Sequence, residues 1–186
     1  MIDRKVYVFL KQKDKSEIIA FLNIYEEYNI KEIKDNYLEI TIKDNFDLET
    51  MIKARDFIMV ELYQDITVFV SPINFDHKIK EEVLDFLPRL NNGIYLIENL
   101  IYELIRVNEF LLTQRLKDYY YNRFSPETVE TILGFIEQDM NASKTAKALY
   151  MHRNTLNYRL DNFIEKTEIN VRTFKGALAI YLLFKR

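Results

Sequence analysis

The sequence lacks several of the residue types on which enzyme active sites and metal centres usually depend. It has no cysteine and only two histidines, which lie far apart at His77 and His152. The absence of cysteine excludes disulfides, thiolate nucleophiles and sulfur-ligated zinc, and it is typical of an intracellular chain. The three glycines are isolated from one another, so no glycine-rich loop is present to hold a nucleotide phosphate. We therefore expect no catalytic site, no metal and no cofactor, and we do not expect an enzyme.

Long apolar runs are also missing. No segment approaches the roughly 18 uninterrupted apolar residues of a membrane-spanning helix, and residues 1–4 do not have the basic-then-apolar pattern of a secretion signal. What the chain does have is a hydrophobic content of 48%, which is enough for a folded protein of 186 residues. We therefore expect a folded cytoplasmic protein that has no membrane partner.

Charge is distributed unevenly along the chain. The net charge of −3, taken alone, argues against a nucleic-acid partner. Residues 1–125 carry 17 Lys and Arg against 22 Asp and Glu, a net charge of −5, whereas residues 126–186 carry 9 against 7, a net charge of +2. From Ser143 to the end the basic residues still number 9 and the acidic ones fall to three, a net charge of +6. A basic segment on an acidic protein is the pattern expected of a DNA-binding module.

The first half of the chain alternates between strand-like and helix-like patterns. Strands are predicted at residues 5–10, 37–42 and 66–70, and helices at residues 16–28 and 48–62. A further helix is predicted to begin at Asp76, which caps it, and to end at Pro88. The order β-α-β-α-β predicts a small α/β or α+β domain over residues 1–93, with a sheet that is either parallel or mixed. Its many aromatic residues are expected to form a core, and a pocket for a small-molecule effector of unknown identity stays the alternative.

Residues 94–124 are expected to form a long connecting helix. Apolar residues recur there in steps of three and four, at Ile97, Leu100, Leu104, Val107 and Leu111. This spacing is that of a heptad repeat, but two heptads are too few to distinguish a dimer seam from a helix that packs on its own domain. Both interpretations stay open.

The last third of the chain, residues 125–186, has the pattern of an all-α domain. The run Ser125-Pro126-Glu127 is a strong helix start, because it combines a capping serine, a proline in the first turn and an acid that the helix dipole favours. Ser143 is expected to cap a short second helix in which Ala146 faces inwards, since closely crossing helices need a small side chain. A tight turn at residues 150–152 leads into a third helix that ends near Lys166.

The third helix has an apolar face and a polar face, and together with the second helix it predicts a helix-turn-helix. In that motif the first residues of the recognition helix enter the major groove, while the preceding helix crosses the backbone. The candidates for reading base edges are His152, Arg153, Asn154, Asn157 and Tyr158. The candidates for binding phosphates are Ser143, Lys144, Lys147, Thr155 and Arg159. His152 is also expected to cap the third helix.

Residues 141–160 read NASKTAKALYMHRNTLNYRL. This run resembles the C-terminal helix-turn-helix of the PucR/CdaR family of bacterial regulators, whose signature is N-x-S-x-T-A-x-x-L-x-x-H-R-N-T-L-x-Y-R-L, and more loosely the Fis-type domain. The matching positions are Asn141, Ser143, Thr145, Ala146, Leu149, His152, Arg153, Asn154, Thr155, Leu156, Tyr158, Arg159 and Leu160. The family often has a glycine where the recognition helix ends, and this chain has Glu168 there.

The resemblance and the charge pattern together predict a regulator of bacterial transcription that binds double-stranded DNA. A homodimer is expected, because a single three-helix unit buries too little DNA surface for tight specific binding. Two alternatives stay open. One is an architectural, Fis-like protein that binds DNA with low specificity, and the other is a degenerate regulator whose helix-turn-helix contacts a protein.

Overall fold

The structure is a computed structural model that describes residues 3–11, 15–24, 28–42 and 46–185. The chain divides into two compact units, Met1–Leu96 and Ile97–Arg186. The described residues of the first unit form a sheet with helices, and those of the second are all-helical, which confirms the predicted fold classes. None of the helices in the described ranges has the length and hydrophobicity that a membrane-spanning segment requires.

The described residues of the N-terminal unit contain a mixed, five-stranded sheet. The strands are β1 (Arg4–Leu10), β2 (Tyr28–Lys34), β3 (Tyr37–Ile42), β4 (Ile66–Val70) and β5 (Gly93–Tyr95), and the helices are α1 (Ser16–Leu22), α2 (Leu48–Glu61) and α3 (His77–Phe86), after which Leu87–Arg89 form a 3-10 turn. The strand order is β2-β3-β1-β4-β5. Strand β1 runs antiparallel to β3 and β4, β2 runs antiparallel to β3, and β5 runs parallel to β4. The first six elements therefore form an antiparallel β-α-β-β-α-β unit of the ferredoxin-like type. The added strand β5 pairs in parallel with β4 and makes the sheet mixed.

Strand β2 was not predicted from the sequence. Its residues Tyr28–Lys34 include lysines and a glutamate, none of its side chains is buried, and it lies at the edge of the sheet. Charged residues on an edge strand discourage pairing with other chains, but they also obscure the hydrophobic pattern that identifies a strand. The helix expected over residues 16–28 ends at Leu22, and residues 25–27 lie outside the described residues. The two-residue turn Asp35-Asn36 between β2 and β3 is the signal that indicates a hairpin here.

Strands β1 and β4 in the middle of the sheet are buried on both faces, which explains why they read as continuous apolar runs. On one face, apolar residues of β1, β3 and β4 pack against Ile18 and Leu22 of α1 and Met51 and Ile58 of α2. On the other face, Tyr7, Phe69 and Tyr37 are buried, and the hydroxyl of Tyr37 donates a 2.6 Å hydrogen bond to the carbonyl of Leu84 in α3. These aromatic residues are therefore part of the core.

The described residues of the C-terminal unit form a helical assembly. Its helices are α4 (Ile97–Arg106), α5 (Phe110–Tyr121), α6 (Pro126–Glu137), α7 (Ala142–Ala148), α8 (Arg153–Thr167) and α9 (Phe174–Lys185). Helices α4 and α5 pack against α9, which also contacts α6. They therefore belong to the same compact unit as the predicted helix-turn-helix.

In place of the single helix expected over residues 94–124, the chain forms β5, α4 and α5. The break lies at Asn108, whose φ of 57° is left-handed. The N–H of Glu109 donates a 2.8 Å hydrogen bond back to the carbonyl of Leu104. Asparagine is one of the few residues other than glycine that adopt this conformation readily, so it ends α4 where the apolar periodicity alone predicts continuation.

The five residues of the candidate dimer seam have different surroundings. Ile97, Leu100 and Leu104 are at most 3% exposed and lie in the core of the helical unit. Val107 and Leu111 are 43% and 75% exposed. The first three residues are therefore core residues, which was one of the two interpretations that the heptad spacing left open, and only the last two are accessible to a second copy of the chain.

Tyr120 on α5 carries a buried polar atom. Its side chain is 1% exposed, and its hydroxyl has no hydrogen-bond partner among the described residues. Burial raises the pKa of this phenol well above its ordinary value, so the group is neutral. We expect Tyr120→Phe to keep or raise the free energy of unfolding, by up to about 1 kcal/mol, because a buried hydroxyl without a partner is destabilising. Urea denaturation tests this expectation, and a clear loss of stability would contradict it.

Candidate DNA-binding surface

Helix α6 supports the site and begins where the sequence predicted. The side chain of Ser125 accepts a hydrogen bond from the N–H of Thr128 at 3.4 Å, and Pro126 is the first helical residue. A hydrogen bond from Ser125 also lowers the pKa of the Glu127 carboxyl. Val129 lies on the buried face of α6, and the helix packs against both α7 and α8.

Helix α7 begins two residues earlier than predicted, at Ala142, and its cap is Asn141. The amide oxygen of Asn141 accepts hydrogen bonds from the N–H groups of Ser143 at 3.1 Å and Lys144 at 3.0 Å. The prediction that Ser143 caps this helix is wrong: both residue types are good caps, but Asn141 has the extended backbone that a cap requires. The N–H groups of Ser143 and Lys144 are therefore bonded to Asn141, which leaves the exposed side chains of these two residues for contacts with a phosphate.

This assignment of the cap predicts opposite outcomes for two neighbouring substitutions. Asn141→Ala is expected to lower the free energy of unfolding by about 1 kcal/mol, because two helix N–H groups lose their acceptor. Ser143→Ala is expected to change it by less than about 0.5 kcal/mol, because the serine is an exposed helical residue. Denaturation of the two variants in urea compares them directly. An equal loss of unfolding free energy in both would contradict this assignment, because it would show that Ser143 stabilises the start of the helix as much as Asn141 does.

The turn between α7 and α8 is fixed by backbone hydrogen bonds. Ala146 is 8% exposed, which confirms that it faces inwards. Its carbonyl accepts a 2.9 Å hydrogen bond from the N–H of Met151, and the carbonyl of Lys147 accepts one from Tyr150 at 3.3 Å. Tyr150 has a left-handed φ of 50°. The small side chain of Ala146 and this turn together set the angle at which α8 leaves α7.

Helix α8 is capped by a histidine at one end and ends in a left-handed residue at the other. The Nδ1 of His152 accepts a 3.2 Å hydrogen bond from the N–H of Asn154, which leaves Nε2 as the ring nitrogen that can donate. Leu156 and Leu160 are fully buried on the inner face. At the far end Glu168 has a φ of 59°, and its N–H donates to the carbonyl of Ile164. The helix thus ends with the backbone conformation that a glycine adopts in many helices, although the residue is glutamate.

The predicted base-reading and phosphate-binding residues lie on the outer side of α7 and α8. The exposed residues are Ser143, Lys144, Lys147, His152, Arg153, Asn154, Thr155 and Tyr158, whereas Asn157 and Arg159 are half-buried. The side chain of Tyr158 is 71% exposed. The first turn of α8 therefore presents Arg153 and Asn154 to solvent, as the sequence predicted from helical periodicity.

Arg159 has a structural contact that sequence reasoning missed. Its guanidinium Nη1 donates hydrogen bonds to the carbonyl of Glu127 at 3.1 Å and to the hydroxyl of Thr131 at 2.8 Å. Both partners lie on α6, about thirty positions earlier in the chain. Arg159 therefore ties α8 to α6, and periodicity within α8 carries no signal for such a long-range contact.

The surface formed by α7, the turn and the first turns of α8 is cationic. Residues 141–160 contain four lysines and arginines and no carboxylate. Of the flanking acids, Asp139 lies 3.5 Å from the ammonium of Lys144, and Asp161 forms a 2.7 Å ion pair with Arg172. In the part of the chain that the structure describes, no three His, Asp or Glu side chains are grouped so as to hold a metal ion. The arrangement is suited to binding a polyanion.

Comparisons with known proteins agree on the C-terminal region. The PucR C-terminal helix-turn-helix domain matches residues 128–185. The uncharacterized protein YxkF of Bacillus subtilis (strain 168) is 47% identical over 57 residues, which are 31% of this chain and 19% of that protein. The DNA-binding transcriptional activator AdeR of the same organism is 25% identical over 191 aligned residues, 98% of this chain and 44% of that protein.

The chain spans less than half the length of these two relatives. Among solved structures, the regulator of polyketide synthase expression from Bifidobacterium adolescentis is similar to 98% of this chain and 78% of its own, with a TM-score of 0.49 and 14% identity. The assignment of the C-terminal domain to a family rests on the local sequence match and on the helix-turn-helix geometry of α7 and α8, and does not use this structural likeness. Residues 128–185 of this chain are a PucR C-terminal helix-turn-helix domain.

Proposed function

We propose that the chain is a transcriptional regulator that binds specific DNA sequences as a homodimer, with α8 in the major groove. The observation that carries the proposal is the exposed cationic surface of α7, the turn and the start of α8, built on a domain of the PucR type. The relative AdeR, a DNA-binding transcriptional activator, aligns with nearly the whole chain and supports the same activity. A regulator of this kind acts in the bacterial cytoplasm, where its DNA lies.

Base reading is assigned to the first turns of α8. The side chain of Arg153 is exposed and can donate two parallel hydrogen bonds to a guanine, and the amide of Asn154 can pair with an adenine. His152 contributes its Nε2, because Nδ1 is occupied by the helix cap. Asn157 and Tyr158 lie one turn further along the same helix, where a contact with the next base pairs is expected.

Backbone contacts are assigned to α7 and to the flank of α8. Lys144 and Lys147 are exposed cations on α7, the helix that crosses the sugar-phosphate backbone in this motif. Ser143 and Thr155 offer hydroxyl donors to phosphate oxygens. Arg159 is assigned a double role: Nη1 is bonded to α6, and the remaining N–H groups of the guanidinium are assigned to a phosphate.

Dimerisation is part of the proposal because one helix-turn-helix reads only a half-site. Two copies related by a two-fold axis place their recognition helices one helical turn apart on an inverted repeat. Val107 and Leu111 are exposed apolar residues of the C-terminal unit that can contribute to the contact between copies. Sedimentation of the chain with and without DNA measures the oligomeric state.

The deciding experiment is selection of bound sequences from random duplex DNA by the 186-residue chain, at a low and a high salt concentration. An inverted repeat with half-sites about one helical turn apart supports the proposal. A variant with alanine at both Arg153 and Asn154 serves as the control and is expected to recover no motif. Binding without a motif and with a steep salt dependence indicates the architectural alternative. No binding at either salt concentration indicates a protein partner instead.

A further inference from the structure

Tyr150 lies in the turn between α7 and α8, and its side chain is almost completely exposed to solvent. It is 98% exposed, so the phenol makes almost no contact with the protein. Its backbone is held in place by the hydrogen bond from its N–H to Lys147 and by the one from Met151 to Ala146. The φ of 50° is left-handed, a conformation that is unfavourable for a non-glycine residue. A glycine is better suited to this turn by backbone energetics, and the tyrosine adds nothing to the core.

Exposure and a left-handed backbone alone do not single out Tyr150, because Tyr63 has both. Tyr63 follows α2 in the N-terminal unit, is 83% exposed and has a φ of 52°. What distinguishes Tyr150 is its position. It follows the exposed Lys147 and precedes the cap His152 and the exposed Arg153, within a stretch of twenty residues that carries no carboxylate. Tyr63, in contrast, lies between Glu61 and Asp65.

We propose that Tyr150 is a DNA-backbone contact whose hydroxyl donates a hydrogen bond to a phosphate oxygen beside the groove that α8 enters. This inference rests on the proposed function. The turn lies outside the recognition helix, so its side chains are placed at the edge of the groove, where sugars and phosphates lie, rather than over the base edges. Tyrosine hydroxyls are among the groups that bind phosphates in protein–DNA complexes, and a neutral donor adds a contact without adding a charge.

A tyrosine contact and a lysine contact are expected to differ in their effect on the salt dependence of DNA binding. Loss of a lysine contact lowers the salt dependence of binding by about one unit, because one fewer counterion is released. Loss of the Tyr150 hydroxyl is expected to weaken binding about tenfold, as for a hydrogen bond to a charged acceptor, and to leave the salt dependence unchanged. A backbone contact carries no sequence information, so the loss is expected on every duplex alike.

The experiment measures the affinity of the whole chain for labelled random-sequence duplex DNA across a series of salt concentrations. Four proteins are compared: the unchanged chain, Tyr150→Phe, Lys147→Ala and the control Tyr63→Phe. Tyr150→Phe is expected to bind about tenfold more weakly with an unchanged salt slope, Lys147→Ala more weakly with a smaller slope, and Tyr63→Phe as the unchanged chain does. Because neither hydroxyl is buried, the two phenylalanine variants are expected to unfold at the same urea concentration as the unchanged chain.

A second pair of variants separates the backbone from the side chain. Tyr150→Gly and Tyr63→Gly both remove a left-handed tyrosine, and both are expected to keep or increase stability. Only Tyr150→Gly is expected to lose DNA affinity. If the unchanged chain binds DNA and Tyr150→Phe binds equally well, the proposed phosphate contact is contradicted, while the proposed function is not affected. If the unchanged chain does not bind DNA at any salt concentration, the proposed function fails and this contact fails with it.

Discussion

Replacing Gly176 by alanine is expected to lower the free energy of unfolding by about 3 kcal/mol. A Cβ atom at Gly176 would lie 2.2 Å from the carbonyl oxygen of Asn170 and 2.6 Å from its carbonyl carbon. These are backbone atoms and cannot rotate away. The carbonyl of Asn170 is also held by hydrogen bonds from the N–H of Thr173 at 3.0 Å and from its hydroxyl at 2.8 Å. Relief of the overlap therefore requires the loop between α8 and α9 to move.

Gly134 provides the matched control, because it is also a helical glycine of the same unit. A Cβ there would lie 3.1 Å from a terminal methyl of Leu149, a side chain that is 36% exposed and can shift. Alanine stabilises a helix interior by about 1 kcal/mol relative to glycine, which offsets the small adjustment. Gly134→Ala is therefore expected to leave stability unchanged or slightly raised.

Urea denaturation followed by far-ultraviolet circular dichroism measures both glycine variants. A large loss for Gly176→Ala together with no loss for Gly134→Ala shows that the close approach to Asn170 holds α9 against the loop. Equal stability of the two variants would falsify that packing. Since α9 contacts α4, α5 and α6, the loss at Gly176 is expected to extend to the whole helical unit, including the packing of α6 against α7 and α8.

Sequence reasoning succeeded where a feature depends on neighbouring residues. The start of α6 at Ser125-Pro126 and the cap of α3 at Asp76 follow from side chains that bond to N–H groups two or three residues later. The inner face of α8 follows from the helical spacing of Leu156 and Leu160, both fully buried. Local chemistry and periodicity determine these elements, so they can be predicted without knowledge of the tertiary structure.

Features that depend on distant residues or on one backbone angle were not predictable in this way. The contact from Arg159 to Glu127 and Thr131 joins two helices, and no pattern within either helix indicates it. The division between α4 and α5 depends on the left-handed backbone of Asn108, in a stretch where the apolar periodicity continues. Two acceptable caps stood two residues apart at Asn141 and Ser143, and only the backbone conformation distinguished them.

Arg153→Ala is expected to weaken binding to the selected DNA sequence by about 1–3 kcal/mol, a loss of roughly 5- to 150-fold. The guanidinium is exposed at the first position of α8. A cation at a helix N-terminus is disfavoured by the helix dipole, so the substitution is expected to leave the stability of the free protein unchanged or slightly higher. An exposed cation that is unfavourable for the helix is more consistent with DNA recognition than with folding.

Base reading and phosphate binding make different predictions for the same measurement. If Arg153 reads a guanine, the alanine variant loses affinity for the selected sequence, loses less on random duplex DNA and tolerates substitution at one base pair. Lys144→Ala is the contrasting variant, since an exposed lysine on α7 is expected to contribute equally on all sequences and to lower the salt slope by about one unit. Equal losses for Arg153→Ala on selected and random DNA would assign Arg153 to the backbone instead. Base reading would then rest on Asn154, Asn157, Tyr158 and the Nε2 of His152, the other base-reading candidates.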